Sequence, residues 1–152
     1  ISFYSAYQIR FSFGNEYNLL FFILIICVST DIGGFVFGKI LKGPKLIKIS
    51  PNKTYAGVLG SYIFSLLSVF IFFRTMNNFN LIEFTGLLLF FVIILSTVSQ
   101  IGDLIISYFK RQSGIKNTGN IIPGHGGLLD RIDGMIFAFP FYYSLILFGF
   151  LL

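Results

Sequence analysis

Charged residues are scarce in this chain: they make up 11% of its 152 residues, and only six of them are acidic. An ordinary soluble domain carries about 25% charged residues, so this composition excludes a soluble globular protein. Cysteine and histidine occur once each, as Cys27 and His125. A single cysteine rules out an intramolecular disulfide, and with no second cysteine or histidine nearby the pattern argues against a zinc site.

Hydrophobic residues, in contrast, account for 55% of the chain, and the mean hydropathy is +0.85. Several uninterrupted apolar runs reach the length that a bilayer requires. The sequence therefore predicts an all-α polytopic membrane protein with about four transmembrane helices. The predicted helices cover residues 19–37, 58–73, 81–107 and 129–152.

The beginning of the chain does not resemble a signal peptide. Residue 1 is Ile, and the basic start, apolar middle and small-residue cleavage site are all missing. We expect residues 1–152 to form a single membrane-embedded domain that is truncated at its N-terminus. Residues 1–13 are either an interfacial helix or the end of a span that precedes them.

The basic residues indicate the orientation of the helices. Nine of the eleven lie in two polar loops, whereas Arg10 and Arg74 fall on the other side. Because Lys and Arg are retained on the cytoplasmic side in short loops, we expect both basic loops to be cytoplasmic. In an alternative interpretation the nine only set the topology and attract anionic lipid headgroups. They are Lys39, Lys42, Lys45, Lys48, Lys53, Lys110, Arg111, Lys116 and Arg131.

Asp31 and Asp103 are acids that fall among apolar residues of predicted helices. A carboxylate at membrane depth is costly unless it meets a partner, a metal ion or water. Ser107 and Lys110 follow Asp103 by one and two helical turns, so the three side chains can share one helix face. Asp31 begins the segment DIGG, and its two glycines are explained equally well by close helix packing as by a functional site. The two carboxylates are therefore the first candidates for a functional site.

Residues 121–133 read IIPGHGGLLDRID and concentrate the polarity of the second loop. Glycines let backbone N–H groups converge on an anion, and the loop leads into a helix N-terminus, which favours negative charge. Asp130 and Asp133 share a helix face, and Mg²⁺ binds through one or two carboxylates together with substrate phosphates. Basic, acidic and glycine residues in this combination predict phosphoryl or nucleotidyl transfer.

The segment SYFKRQSGIKNTGNIIPGHGGLLDRID, residues 107–133, resembles the signature of the phosphatidate cytidylyltransferases, also called CDP-diacylglycerol synthases. Three further segments resemble elements of the same family: Asp31 with GGFVFGK, ISPNKTYAG at residues 49–57, and GDL at residues 102–104. Together they cover residues 31–133, and the flanking apolar helices resemble the C-terminal half of such an enzyme.

This resemblance implies nucleotidyl transfer in phospholipid biosynthesis, in which CTP and phosphatidate give CDP-diacylglycerol and pyrophosphate. It places the chain in the cytoplasmic (inner) membrane, with the active site on the cytoplasmic side. Mg²⁺ is the implied cofactor, alone or with a second cation. The implied partners are CTP, phosphatidate, membrane lipid and a second copy of the chain in a homodimer, and no nucleic acid is expected.

The resemblance also implies roles for individual residues. The catalytic candidates are Asp103, Lys110, Arg111, His125, Asp130, Arg131 and Asp133. The substrate-binding candidates are Asp31, Ser50, Lys53, Thr54, Ser107, Lys116, Gly124, Gly126 and Gly127. The metal-ligand candidates are Asp103, Asn117, Asp130 and Asp133.

Three positions depart from the family pattern. Asn117 stands where the family has Asp, and Ile106 and Ala56 each stand where it has Glu. An amide oxygen brings no charge and binds Mg²⁺ more weakly than a carboxylate. Two alternatives to an active cytidylyltransferase therefore remain: a catalytically impaired or incomplete relative that only binds CTP or lipid, and a CTP-dependent polyprenol or phytol kinase.

Overall fold

The computed structural model describes residues 1–11, 17–47, 50–75, 86–115, 118–119 and 132–149. Five helices account for most of these residues, and a short antiparallel hairpin lies between the second and third helices. The helices are α1 (Ser2–Phe11), α2 (Tyr17–Leu41), α3 (Tyr55–Thr75), α4 (Gly86–Gln112) and α5 (Met135–Leu147), and the strands are β1 (Lys45–Ile47) and β2 (Ser50–Thr54).

Three of the described helices are long and apolar enough to cross a membrane, over Asn18–Leu41, Tyr55–Thr75 and Gly86–Gln112. At 1.5 Å per residue even a 21-residue helix is about 31 Å long, which matches the hydrocarbon core of a bilayer. The first two predicted spans are therefore confirmed as helices, and so is the third over residues 86–107, whereas its residues 81–85 lie outside the described part of the chain. The third extends further than expected, because its polar C-terminal turns continue the helix to Gln112. The chain is an integral membrane protein.

The predicted fourth span is found only as a shorter apolar helix. Helix α5 has 13 residues, about 20 Å by the same rise, and contains Pro140. That length falls short of the bilayer core, so within the described residues α5 does not span it alone. The other ends of the predicted range, residues 129–131 and 150–152, lie outside the described residues.

The first basic loop contains the β-hairpin, which the sequence did not predict, although the described residues are otherwise mostly helical, in agreement with the all-α prediction. Lys42 adopts a φ of +44°, the left-handed conformation that commonly ends a helix, and Pro44 follows it. At the base of the hairpin Lys45 pairs with Thr54, and the Tyr55 backbone N–H donates to the carbonyl of Pro44 at 3.2 Å. The hairpin thus carries the chain straight from the end of α2 to the start of α3.

Helices α2 and α3 pack against each other through glycines. A Cβ atom added at Gly33 would lie 2.5 Å from the carbonyl oxygen of Gly60, and one added at Gly57 would lie 2.8 Å from that of Gly34. Small residues allow this close approach in lipid, where helix association depends on packing. The packing role that the sequence allowed for Gly33 and Gly34 is confirmed.

Buried hydroxyl groups connect α2, α3 and α4. Ser61 Oγ donates to the carbonyl of Thr30 at 2.7 Å, and Thr30 Oγ1 donates to Ser96 Oγ at 2.9 Å. Tyr62 and Thr97 share a further hydroxyl pair at 3.0 Å. Such bonds satisfy polar groups that lipid would leave without partners. They fix the three helices that surround the site described below.

The N-terminal segment forms a helix that packs on α5. Ser2 Oγ donates to the carbonyl of Ile136 at 2.6 Å, and the rings of Tyr4 and Tyr143 meet edge to face at 6.3 Å. Ile9 is fully buried there. Whether this helix is interfacial or continues a preceding span stays a prediction. Cys27 is buried, as a small apolar side chain in a helix core would be.

Candidate active site

A cavity of about 350 Å³ lies towards the end of the bundle that carries the hairpin. Its lining comes from α2, the hairpin, α3, α4 and the turn before α5. Six of the residues singled out by the sequence line it. They are Asp31, Lys53, Thr54, Asp103, Ser107 and Asp133. Segments about a hundred residues apart in the chain therefore converge on one space.

All acidic side chains in the described part of the chain line this cavity. Asp31 comes from the middle of α2, Asp103 from α4, and Asp133 from the turn that precedes α5. Carboxylates in a membrane-embedded helix bundle face the interior and mark functional sites when they cluster. The three carboxylates therefore converge on one space, and their functional role stays a prediction.

Asp103 has two polar neighbours. Lys53 Nζ, from β2, forms an ion pair with Asp103 Oδ2, and Ser107 Oγ lies 3.4 Å from Asp103 Oδ1. The side chains of Lys53 and Asp103 retain 26% and 31% of their exposure. The predicted contact between Asp103 and Ser107 on one helix face is confirmed. The cation, however, comes from the hairpin instead of from Lys110.

Lys110 lies beside a different carboxylate. Its Nζ is 2.6 Å from Asp133 Oδ2, and the two side chains are only 13% and 5% exposed. The pair connects the C-terminal part of α4 to the turn before α5 across 23 residues of sequence. It therefore fixes the turn before α5 against the C-terminal part of α4.

Thr54 has a structural role beside its place in the lining. Its Oγ1 accepts a hydrogen bond from the Gly57 backbone N–H at 3.1 Å, which is the N-cap of α3. This cap positions the hairpin on the helix start, so the neighbouring Lys53 is directed into the cavity. The hydroxyl proton of Thr54 is not used by the cap and remains able to donate.

The remaining predicted site residues have other outcomes. Arg111 is exposed and is not part of the cavity lining. Ser50 is described only by its backbone, which pairs with Ile47 in the hairpin. The other predicted positions lie outside the described residues. They are Lys116, Asn117, Gly124, His125, Gly126, Gly127, Asp130 and Arg131.

Several polar residues of the lining were not predicted from the sequence, above all Gln100, Ser61 and Thr30. A signal for Gln100 exists: it precedes Asp103 by three residues and Ser107 by seven, so all three occupy one stripe of α4. Thr30 and Ser61 carry no comparable signal, because hydroxyls in apolar helices commonly serve helix packing.

The chemistry of the lining suits a hard divalent cation. Its donors are carboxylate and hydroxyl oxygens, which Mg²⁺ prefers, and Mg²⁺ needs only one or two carboxylates when substrate phosphates complete its shell. Among the described residues no group of three or more His, Cys, Asp or Glu is close enough to hold a metal ion by itself. Asp103 and Asp133 therefore fit a cation that is shared with a phosphorylated substrate.

Comparison with known proteins identifies the family of the chain. The model of the cytidylyltransferase family matches residues 2–148. The chain belongs to this family. It is 43% identical over 141 residues to a phosphatidate cytidylyltransferase of Staphylococcus saprophyticus, with 92% of this chain and 52% of the relative covered.

Two other bacterial relatives carry the same name. The protein of Haemophilus influenzae is 40% identical over 127 residues, covering 82% of this chain and 44% of the relative. That of Bacillus subtilis is 40% identical over 135 residues, covering 87% and 49%. The chain spans about half the length of the curated relatives it matches.

Two of the three departures from the family pattern fall within the described residues. Neither Ala56, in the first turn of α3, nor Ile106, on α4, is part of the cavity lining. The third departure, Asn117, lies outside the described residues.

Proposed function

We propose that this chain carries the nucleotidyl-transfer site of a phosphatidate cytidylyltransferase, within a single membrane-embedded domain. In the proposed reaction a phosphate oxygen of phosphatidate attacks the α-phosphorus of CTP. The bond from that phosphorus to the oxygen bridging to the β-phosphate breaks, and pyrophosphate leaves. The products are CDP-diacylglycerol and pyrophosphate.

The observation that carries the proposal is the composition of the cavity. Carboxylates, a lysine and hydroxyls meet apolar side chains there, namely Phe35, Leu46 and Leu104. Charged groups of both signs suit a nucleotide with its cation, whereas the apolar side chains suit the lipid part of phosphatidate. Membership of the cytidylyltransferase family and the shared name of the relatives support the same substrates.

We assign the residues by their charge and position. Lys53, Lys110 and Arg111, the last two from the final turn of α4, would hold phosphate groups together with Lys116 and Arg131 of the second loop. Ser50, Thr54 and Ser107 would donate hydroxyl hydrogen bonds to phosphate oxygens, and Asp31 would line the substrate space. The glycines around His125 would bring backbone N–H groups to the same anions, and His125 would hold a proton beside them.

Mg²⁺ would be held by Asp103 and Asp133, with Asp130 and Asn117 as further ligands and a second cation beside it as an option. When bound, Mg²⁺ supplies neutralisation of the triphosphate charge and polarisation of the reacting phosphate. The carboxylate and hydroxyl oxygens of the cavity lining support this assignment. The lysines at both carboxylates supply part of that positive charge themselves.

The cavity would face the cytoplasm. Described basic residues lie at its end of the bundle, on the hairpin and at the C-terminal end of α4, whereas Arg74 ends α3 at the opposite end. Lys and Arg in short loops are retained on the cytoplasmic side, where CTP is available. A homodimer in the cytoplasmic membrane completes the proposal.

The test is the conversion of phosphatidate and radiolabelled CTP by the chain in detergent micelles, with Mg²⁺ or with EDTA. We expect CDP-diacylglycerol with Mg²⁺ and none with EDTA. Asp103→Asn keeps the shape of the side chain and removes its charge, so we expect a loss of about a hundredfold or more. Glu83→Gln removes an acid that belongs to no predicted site and is the matched control.

Each alternative gives a different result. A folded chain that binds CTP without forming product would be the impaired or incomplete relative. Phosphorylation of a polyprenol or phytol with release of CDP would identify the kinase. Equal activity of Asp103→Asn and Glu83→Gln would refute the assigned role of the cavity.

A further inference from the structure

The two carboxylates assigned to the cation already have cationic partners, and the two pairs differ in burial. The pair of Lys53 and Asp103 keeps about a quarter to a third of its exposure, at 26% and 31%. The pair of Lys110 and Asp133 is nearly enclosed, at 13% and 5%. The difference decides which pair can open when another cation arrives.

An ion pair of intermediate exposure is weak. Such a pair changes an equilibrium by less than about sixfold, because water competes for both partners. Separating a buried pair costs much more free energy, because each charge would be left without a partner where little water reaches it. The pair at Asp103 is therefore the one that an incoming cation can replace.

Lys53 is also suited to leave Asp103. It is carried by β2, directly before the capping residue Thr54, so its backbone stays fixed while its flexible four-carbon side chain can turn. It lines the same cavity as Asp31, Asp103 and Ser107. When the ammonium group leaves Asp103, it remains in the cavity, where a phosphate group is its natural partner.

We infer that Lys53 is an exchangeable internal cation: in the substrate-free protein it occupies Asp103, and a divalent cation displaces it towards the nucleotide phosphates. This inference rests on the proposed function for the identity of the phosphate ligand. Lys53 is thus a positioning residue that weakens binding of the cation alone and strengthens binding of the nucleotide. Cation and nucleotide then bind cooperatively, and the coupling is reciprocal.

The test begins with the cation alone. Mn²⁺, a paramagnetic substitute for Mg²⁺, is titrated into the 152-residue chain in micelles and followed by electron paramagnetic resonance, without nucleotide. Lys53→Met removes the competing ammonium group, so we expect Mn²⁺ to bind about fivefold tighter. Lys53→Arg keeps the competing charge and should remain close to the parent.

Lys45→Met is the matched control. Lys45 lies on the same hairpin, is exposed, and does not line the cavity. It removes the same charge from the same part of the protein, so it measures the general electrostatic effect of losing a lysine. Unchanged or weaker Mn²⁺ binding by Lys53→Met, or equal tightening by Lys45→Met, would overturn the inference. Failure of Mn²⁺ to bind either the parent or Lys53→Met would overturn it as well.

The second measurement is CTP binding at saturating Mn²⁺. We expect Lys53→Met to bind CTP at least about fivefold more weakly than the parent, with Lys45→Met unchanged. If Lys53→Met binds Mn²⁺ more tightly but the parent chain does not bind CTP, the result supports the exchange at Asp103 and counts against the proposed function. Circular dichroism verifies the fold, and Lys53→Gln replaces Lys53→Met if that variant does not fold.

Discussion

The two ion pairs at the cavity carboxylates predict very different losses of folding stability when the lysine of each pair is replaced by methionine. Lys110→Met leaves the carboxylate of Asp133 buried at 5% exposure without its ammonium partner. Breaking a buried pair in this way costs about 3 kcal/mol or more, which is over a hundredfold in the folding equilibrium. Lys53→Met leaves Asp103 at 31% exposure, where water compensates, and should cost below about 1 kcal/mol.

The assay is unfolding in mixed micelles of increasing SDS fraction, followed by circular dichroism at a helical band. Both variants lose one positive charge and gain the same apolar side chain, so each is a control for the other. Adding Asp133→Asn to Lys110→Met should recover part of the loss, because the stranded charge is then removed. Equal losses for the two single variants would show that burial does not decide the strength of these pairs.

Three further predictions concern packing, capping and the second loop. Gly33→Ala places a Cβ atom 2.5 Å from the Gly60 carbonyl oxygen and should destabilise the α2–α3 pair by about 1–3 kcal/mol in the same unfolding assay. Gly86→Ala is the control, because a Cβ atom added at Gly86 meets open space, and it should not destabilise the protein. Thr54→Ala removes the cap of α3 and should cost about 1 kcal/mol, and Thr54→Ser should restore most of it. Asn117→Asp should raise Mg²⁺-dependent CDP-diacylglycerol formation, since a carboxylate binds the ion more strongly than an amide; no gain over the parent would count against a ligand role there.

The membrane-spanning helices could be predicted because each depends on the apolar content of its own segment. The same holds for the contact of Asp103 with Ser107, which follows from helical periodicity. The end of α2 could not be predicted with the same ease. It depends on a left-handed Lys42, where glycine would be the usual residue. The hairpin that follows was hidden because its few residues are polar and basic, without the alternating pattern of a half-buried strand.

The partner of Asp103 shows why the site itself was only partly predictable. Lys110 follows Asp103 by seven residues, which is about 10 Å along the helix axis. Lys53 is fifty residues away in sequence, but the hairpin and the cap at Thr54 bring its Nζ into an ion pair with Asp103. Lys53 therefore pairs with Asp103 where the sequence pattern suggested Lys110, because the three-dimensional path of the chain determines which lysine is nearer. Lys110 pairs with Asp133, which joins the C-terminal part of α4 to the turn before α5. The residue types of the candidate site are therefore set by local sequence, whereas the pairing of its charged side chains is set by the fold.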